Sequence, residues 1–193
     1  MATAKNPSLI ALYSPAPQMG KSTATQLLTE GLGYKLVKFA APGKAMVNIF
    51  LAQLGVDPHL RELMIEGNLK EKTLEDFGFE KLTPRYIMQT IGSEWGRGCI
   101  DTNLWTTIAA RKVRKLLDAG LRVVIDDMRF PNELDLVRSM GGECWCILRP
   151  EVAYTGEHKS EGLLDRHPFD RMLVNDGTLD QFNERLLEAI TRF

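Results

Sequence analysis

Apolar and polar positions alternate along this chain in two rhythms. Ser8 to Tyr13 is a short apolar run that ends in Ser14-Pro15-Ala16-Pro17, which reads as a buried strand entering a loop. From Gly20 to Leu32 the period changes, and Ala24, Leu27, Leu28 and Leu32 recur at helical spacing. Leu36 to Ala40 reads as a second strand. A helix starting at Pro42 carries Met46, Ile49, Phe50 and Leu54 on one face. Asp57 to Leu82 is polar and irregular, with no assignable element. Pro84 occupies a helix-start position and is followed by Ile87, Met88 and Ile91. Leu104 to Ala119 is a helix closed by Gly120. Leu121 to Asp126 is a central strand. Pro131 to Met140 is a helix that stops at Gly141-Gly142, and Glu143 to Leu148 is the next strand. Arg149 to Asp170 is polar and proline-containing and reads as a mobile insertion. Arg171 to Val174 is a last strand, and Leu179 to Ile190 a last amphipathic helix.

Strands alternating with helices predict an α/β domain: a parallel sheet with helices on both faces. Ligands of such sheets bind at the carboxyl ends of the strands. Three chemically distinctive segments fall there: Gln18 to Thr23, Asp126 to Arg129, and Arg149 onward. The whole chain, 1–193, reads as one domain.

Composition narrows the function. A formal net charge of −1 argues against a general nucleic-acid or membrane-surface binder. Cys99, Cys144 and Cys146 are too few and odd in number for a disulfide framework, so they read as reduced thiols in a cytoplasmic protein. Met1 to Ser8 lacks the apolar core of a signal peptide, and no run approaches the ~18 apolar residues of a membrane span. The oligomeric state is left open, a homodimer included.

Met19-Gly20-Lys21-Ser22-Thr23 follows the first strand and opens a helix, the context a Walker A phosphate loop requires. Backbone amides from Gln18 to Thr23 would cradle phosphates. Lys21 would reach the β- and γ-phosphates, and the Ser22 hydroxyl would reach Mg²⁺. The pattern asks for glycine at the position of Pro15, so the loop entrance must depart from the usual one. Asp126 and Asp127 end the central strand, where a carboxylate can hold Mg²⁺ or orient the attacking oxygen. Arg129 is placed to clamp an acceptor phosphate. The bland alternative is a capped helix start with an exposed lysine, and a helix N-terminal acid paired with a surface arginine.

Four stretches in order resemble the phage deoxynucleoside monophosphate kinases. Val123 to Glu133 (VVIDDMRFPNE) resembles their strand-and-turn signature, and Arg85 to Arg97 their acceptor-side helix. His158-Lys159-Ser160-Glu161 resembles their His-x-Ser-Glu stretch, and Leu173 to Thr178 their last strand and turn. The resemblance implies a P-loop NTPase of the adenylate-kinase-like type: a five-stranded parallel sheet, an acceptor-binding helical region at about 42–100 and a lid at about 149–170. It implies ATP and Mg²⁺, and transfer of a phosphoryl group to a deoxynucleoside monophosphate. By the same likeness Asp127 takes the acidic strand-end role and joins Ser22 at the metal. Arg85, Arg97 and Arg129 face the acceptor phosphate, Gln89 and Trp95 shape the base pocket, and Asn175 and Gly177 lie near the donor base. His158 and Glu161 order the lid or touch the acceptor, and Arg149, Arg166 and Arg171 supply lid charge. Trp105 and Trp145 are assigned to the core.

Three rivals stay open on sequence. One is a related kinase acting on dephospho-coenzyme A or phosphomevalonate. Another is a nucleotide-binding module without turnover. The last is a nucleic-acid kinase, which the near-neutral charge disfavours.

Overall fold

The structure is a computed structural model, and the residues it describes are 6–150, 152 and 162–191. The chain divides into two compact units, one of residues 1–39 and 109–193 and one of residues 40–108.

The first unit holds a five-stranded sheet: β1 (Leu9–Tyr13), β2 (Lys35–Val37), β3 (Val123–Ile125), β4 (Glu143–Leu148) and β5 (Arg171–Val174). The spatial order is β2-β3-β1-β4-β5, and every pairing is parallel. Because side chains alternate across a strand, β1 feeds two cores. Leu9, Ala11 and Tyr13 pack with Ala109 and Val113 of α5 (Leu104–Asp118) and with Leu134 and Val137 of α6 (Pro131–Ser139). Ile10 and Leu12 pack instead with Ala24 of α1 (Lys21–Gln26), with Leu28 beyond it, and with Phe182, Leu186 and Ile190 of α7 (Leu179–Thr191). Helices thus cover both faces, as the alternating pattern predicts. All five β1 residues are buried, which explains its unbroken apolar run.

Two details depart from expectation. The second strand stops at Val37 rather than Ala40, because the Phe39 N–H donates to the Asp127 carboxylate at 2.9 Å instead of continuing the ladder. The first helix turns π-helical over Leu27–Gly31.

The second unit is helical: α2 (Ala41–Gln53), α3 (Pro58–Ile65) and α4 (Pro84–Gln89), the last continuing as a π-helix over Thr90–Ile100. Val47, Leu51, Met64, Ile65 and Leu74 form its core. The helix α3 lies inside the stretch that reads as irregular. Asp57 caps it, its carboxylate accepting from His59 N–H at 2.8 Å and Leu60 N–H at 3.3 Å, with Pro58 next. Trp105 is buried as expected and donates its indole N–H to the Gly92 carbonyl at 2.7 Å. A Cβ on Gly96 would collide with that indole, so the π-helical turn closes on Trp105 only because residue 96 is glycine.

Candidate functional site

The carboxyl ends of the strands in the first unit deliver the chemistry. β1 runs into the loop Ser14 to Gly20, β2 into Lys38, β3 into Asp126 and Asp127, β4 into Arg149, and β5 into Asn175.

The loop reaches α1 through two residues with positive φ. Gln18 sits at φ 63°, alone among non-glycine described residues, and Gly20 at φ 105°. A non-glycine residue in the left-handed region costs of order 1–3 kcal/mol and persists where the surroundings impose it, commonly at functional sites. Pro15 fixes the entrance, Ala16 and Met19 are buried, and the Ser14 hydroxyl donates to the Ala16 carbonyl at 3.0 Å. The proline departure is therefore accommodated by a tight, internally bonded turn.

Lys21 opens α1 at the centre of a charge cluster. Burial holds its pKa below the ordinary lysine value, and the Arg129 guanidinium pushes the same way, with a smaller contribution from Lys38. Asp126 and Asp127 oppose them. Since burial and Arg129 disfavour the charged ammonium, an arriving anion would stabilise it. Lys38 Nζ lies 3.5 Å from Asp126 Oδ2, while Asp126 Oδ1 is buried with no hydrogen-bond partner. Asp127 is engaged differently, its Oδ1 accepting from Phe39 N–H.

The turn carrying Asp126, Asp127 and Arg129 is held from behind. Glu133, 3% exposed, accepts at Oε2 from Arg129 N–H at 2.7 Å and from Phe130 N–H at 3.1 Å. It stands at the third position of α6 after Pro131 and reaches back over the helix start, half of a capping box. The guanidinium of Arg129 remains exposed.

Lys38 and Glu133 are the residues that sequence reasoning missed. For Lys38 the available signal is its place just past a strand end. For Glu133 it is the Pro-x-Glu spacing at a helix start.

Beyond β1, Tyr13 donates its hydroxyl to Asp165 at 2.6 Å and stacks on Phe169 at 5.3 Å between ring centroids. This ties the end of the proposed lid segment to the strand that launches the phosphate loop. Arg149 stands just past the end of β4, half-buried, and Arg166 is exposed. Arg171 is corrected: it is no lid residue but the first residue of β5, paired in register with Trp145. Its Nε lies 3.2 Å from Glu143 Oε2 and its guanidinium 5.6 Å from the Trp145 ring centroid. It is bound to the buried tryptophan at the start of its strand. His158 and Glu161 lie outside the described residues.

In the helical unit Gln89 and Trp95 are exposed, and the Trp95 ring is 6.4 Å from Trp105. Arg85 pairs with Glu71 at 2.7 Å, and Arg97 Nη1 donates to the Thr102 carbonyl at 3.4 Å. Gly177 is exposed. Asn175 donates its side-chain amide to the Met19 carbonyl at 3.1 Å, so it touches the phosphate loop itself.

A Gly-Lys-Ser loop between the central strand and its helix, its lysine in the same charge cluster as the acids that end β3, is the arrangement expected of a P-loop protein. The chain belongs to the deoxynucleotide monophosphate kinase family, whose model matches residues 63–186. A protein of Acanthamoeba polyphaga mimivirus named as a deoxynucleotide monophosphate kinase is 30% identical over 182 residues, 89% of this chain and 90% of that protein. The deoxynucleoside-5'-monophosphate kinase of Escherichia phage T5 is 30% identical over 115 residues, 56% of this chain but 44% of that protein. Among solved structures, dephospho-CoA kinase from Campylobacter jejuni matches 95% of both chains at 13% identity with a TM-score of 0.42, too distant to argue for its substrate. Among the described residues no helix is long and apolar enough to cross a membrane.

Proposed function

We propose that this chain transfers the γ-phosphoryl group of ATP to the phosphate of a deoxynucleoside monophosphate. The observation that carries the reading is the placement of Lys21: a half-buried loop lysine that shares a charge cluster with Asp126, Asp127, Arg129 and Lys38 at the carboxyl ends of β1, β2 and β3. A triphosphate would bring negative charge to Lys21, Lys38 and Arg129.

In this reading amides of Gln18 to Thr23 and the Lys21 ammonium hold the β- and γ-phosphates. An oxygen of the acceptor phosphate attacks the γ-phosphorus in line. The bond from that phosphorus to the β–γ bridging oxygen breaks, and ADP leaves. A phosphate oxygen is already anionic at neutral pH, so no strong protein base is needed. Positioning and charge neutralisation supply the acceleration. Lys38 and Arg129 add positive charge where the transferring group gathers negative charge.

Among the described residues no group of three or more His, Cys, Asp and Glu could hold a metal. Mg²⁺ needs no such cage, since it binds through one or two protein oxygens plus substrate phosphates and water. The partnerless Asp126 Oδ1 and the exposed Ser22 hydroxyl suit that demand. We therefore assign the metal-facing carboxylate to Asp126 and give Asp127 the structural bond to Phe39, in place of the sequence expectation. When bound, the ion would shield charge on the β- and γ-oxygens. Gln89 and Trp95 remain the proposed base-reading residues of the helical unit, Arg85 and Arg97 its proposed acceptor-phosphate residues, and Arg129 that of the first unit.

A coupled assay with MgATP and each of the four deoxynucleoside monophosphates tests the proposal, with dephospho-coenzyme A as the comparison acceptor. Turnover is expected with at least one deoxynucleotide and not with dephospho-coenzyme A. Lys21→Met should cut kcat by about 100- to 1,000-fold, as for loss of a preorganised charge at a transition state. Wild-type turnover by that variant, or transfer only to dephospho-coenzyme A, overturns it.

A further inference from the structure

The family resemblance implies that Asn175 lies near the donor base, and in the structure its side chain reaches the phosphate loop. Its backbone N–H donates to the Leu148 carbonyl at 2.7 Å, extending the β4–β5 ladder one residue past Val174 and anchoring the residue. From there Nδ2 donates to the Met19 carbonyl at 3.1 Å, a contact between residues 156 apart in sequence. A Cβ built on Gly20 would lie 2.5 Å from the same Nδ2. The amide therefore occupies the place that a side chain at residue 20 would fill, and Gly20 at φ 105° makes room for it.

We propose that Asn175 is a positioning residue that sets the orientation of the Met19–Gly20 peptide in the phosphate loop. A trans peptide is planar, with its carbonyl and N–H on opposite sides. With the Met19 carbonyl held toward Asn175, the Gly20 N–H points away from it, as one of the loop amides proposed above for phosphate. Without the amide, that peptide is free to rotate in a segment that already carries two positive-φ residues. The cost of ordering it would then fall on nucleotide binding. The inference rests on the phosphate-loop reading of Gln18 to Thr23. It replaces contact with the donor base by control of the loop's shape.

The test compares Asn175→Ala, Asn175→Asp and Lys21→Met. MgATP binding is read by calorimetry, and initial rates are read against ATP and against the deoxynucleotide separately. Asp has the size of Asn but cannot donate to a carbonyl, so it separates space-filling from hydrogen bonding. Both Asn175 variants should lose about tenfold in kcat/KM for ATP, the worth of one such bond, with KM for the deoxynucleotide nearly unchanged. The melting temperature of Asn175→Asp should stay close to wild type. If Lys21→Met loses ATP binding while both Asn175 variants match wild type, the positioning role is wrong and the loop reading stands. Equal losses against both substrates, or full activity in Asn175→Asp, also overturn the positioning role. If Lys21→Met binds and turns over ATP normally, the loop reading itself fails.

Discussion

Glu133→Ala is the most informative single change to the turn between β3 and α6. The carboxylate is 3% exposed and serves the N–H groups of Arg129 at 2.7 Å and Phe130 at 3.1 Å. A hydrogen bond to a charged group contributes about 1.5–3 kcal/mol. Arg129 is exposed and Phe130 half-buried, so water replaces part of what is lost and the lower end applies to each. The sum is about 2–4 kcal/mol, somewhat more than loss of a typical helix cap. At about 2–4 °C per kcal/mol for a chain of this size, the melting temperature should fall by about 5–15 °C. Glu133→Gln keeps one acceptor oxygen and should lose about half as much. Differential scanning calorimetry without nucleotide reads both. The same variants should lose turnover even below their melting range, because Asp126, Asp127 and Arg129 ride on the released turn. A Glu133→Ala protein melting within about 2 °C of wild type would refute the reasoning, since two bonds to a buried carboxylate cannot be lost so cheaply.

Two further outcomes follow from the ionisable groups. Lys21 has a lowered pKa, so without nucleotide the folded state binds its proton less readily than the unfolded state, and Lys21→Met should be the more stable protein near about pH 7. That advantage should shrink as pH rises from the folded pKa toward 10.5, where the unfolded lysine also loses its proton; an advantage growing with pH would contradict it. Burial pushes the Cys144 and Cys146 thiols up to about 12, while Cys99 is exposed. A disulfide reagent at mildly alkaline pH should therefore titrate one thiol in the native protein and three after unfolding in urea, and fast modification of all three natively would disprove the buried assignment.

The sheet and the loop were legible because their signals are local. Leu9 to Tyr13 is a continuous apolar run since both of its faces are covered, and the loop Ser14 to Gly20 leads directly from it to Lys21. The helix α3 escaped notice because its eight residues bring too few apolar positions for a period, although Asp57-Pro58 marks its start. The π-helix at Thr90–Ile100 contains Gly92, Gly96 and Gly98, and no periodicity announces that Gly96 is there to admit an indole. The second strand ended early because a carboxylate 88 residues further on took the Phe39 N–H. Lys38, Glu133 and the contact of Asn175 with Met19 were missed for one reason. Strand-end place and Pro-x-Glu spacing mark the first two positions, but the groups these side chains meet are brought to them by the fold.

The Tyr13 tether bears on how this architecture tolerates change in length. Leu164 is fully buried, and Asp165 and Phe169 are fastened to Tyr13, while Arg149 is fixed at the other margin by β4. Both margins of the intervening stretch are thus tied to the sheet. Doubling the number of residues strung between fixed posts costs only about 0.6 kcal/mol in chain entropy. A change in the number of residues between those posts is accordingly cheap for the sheet that holds them.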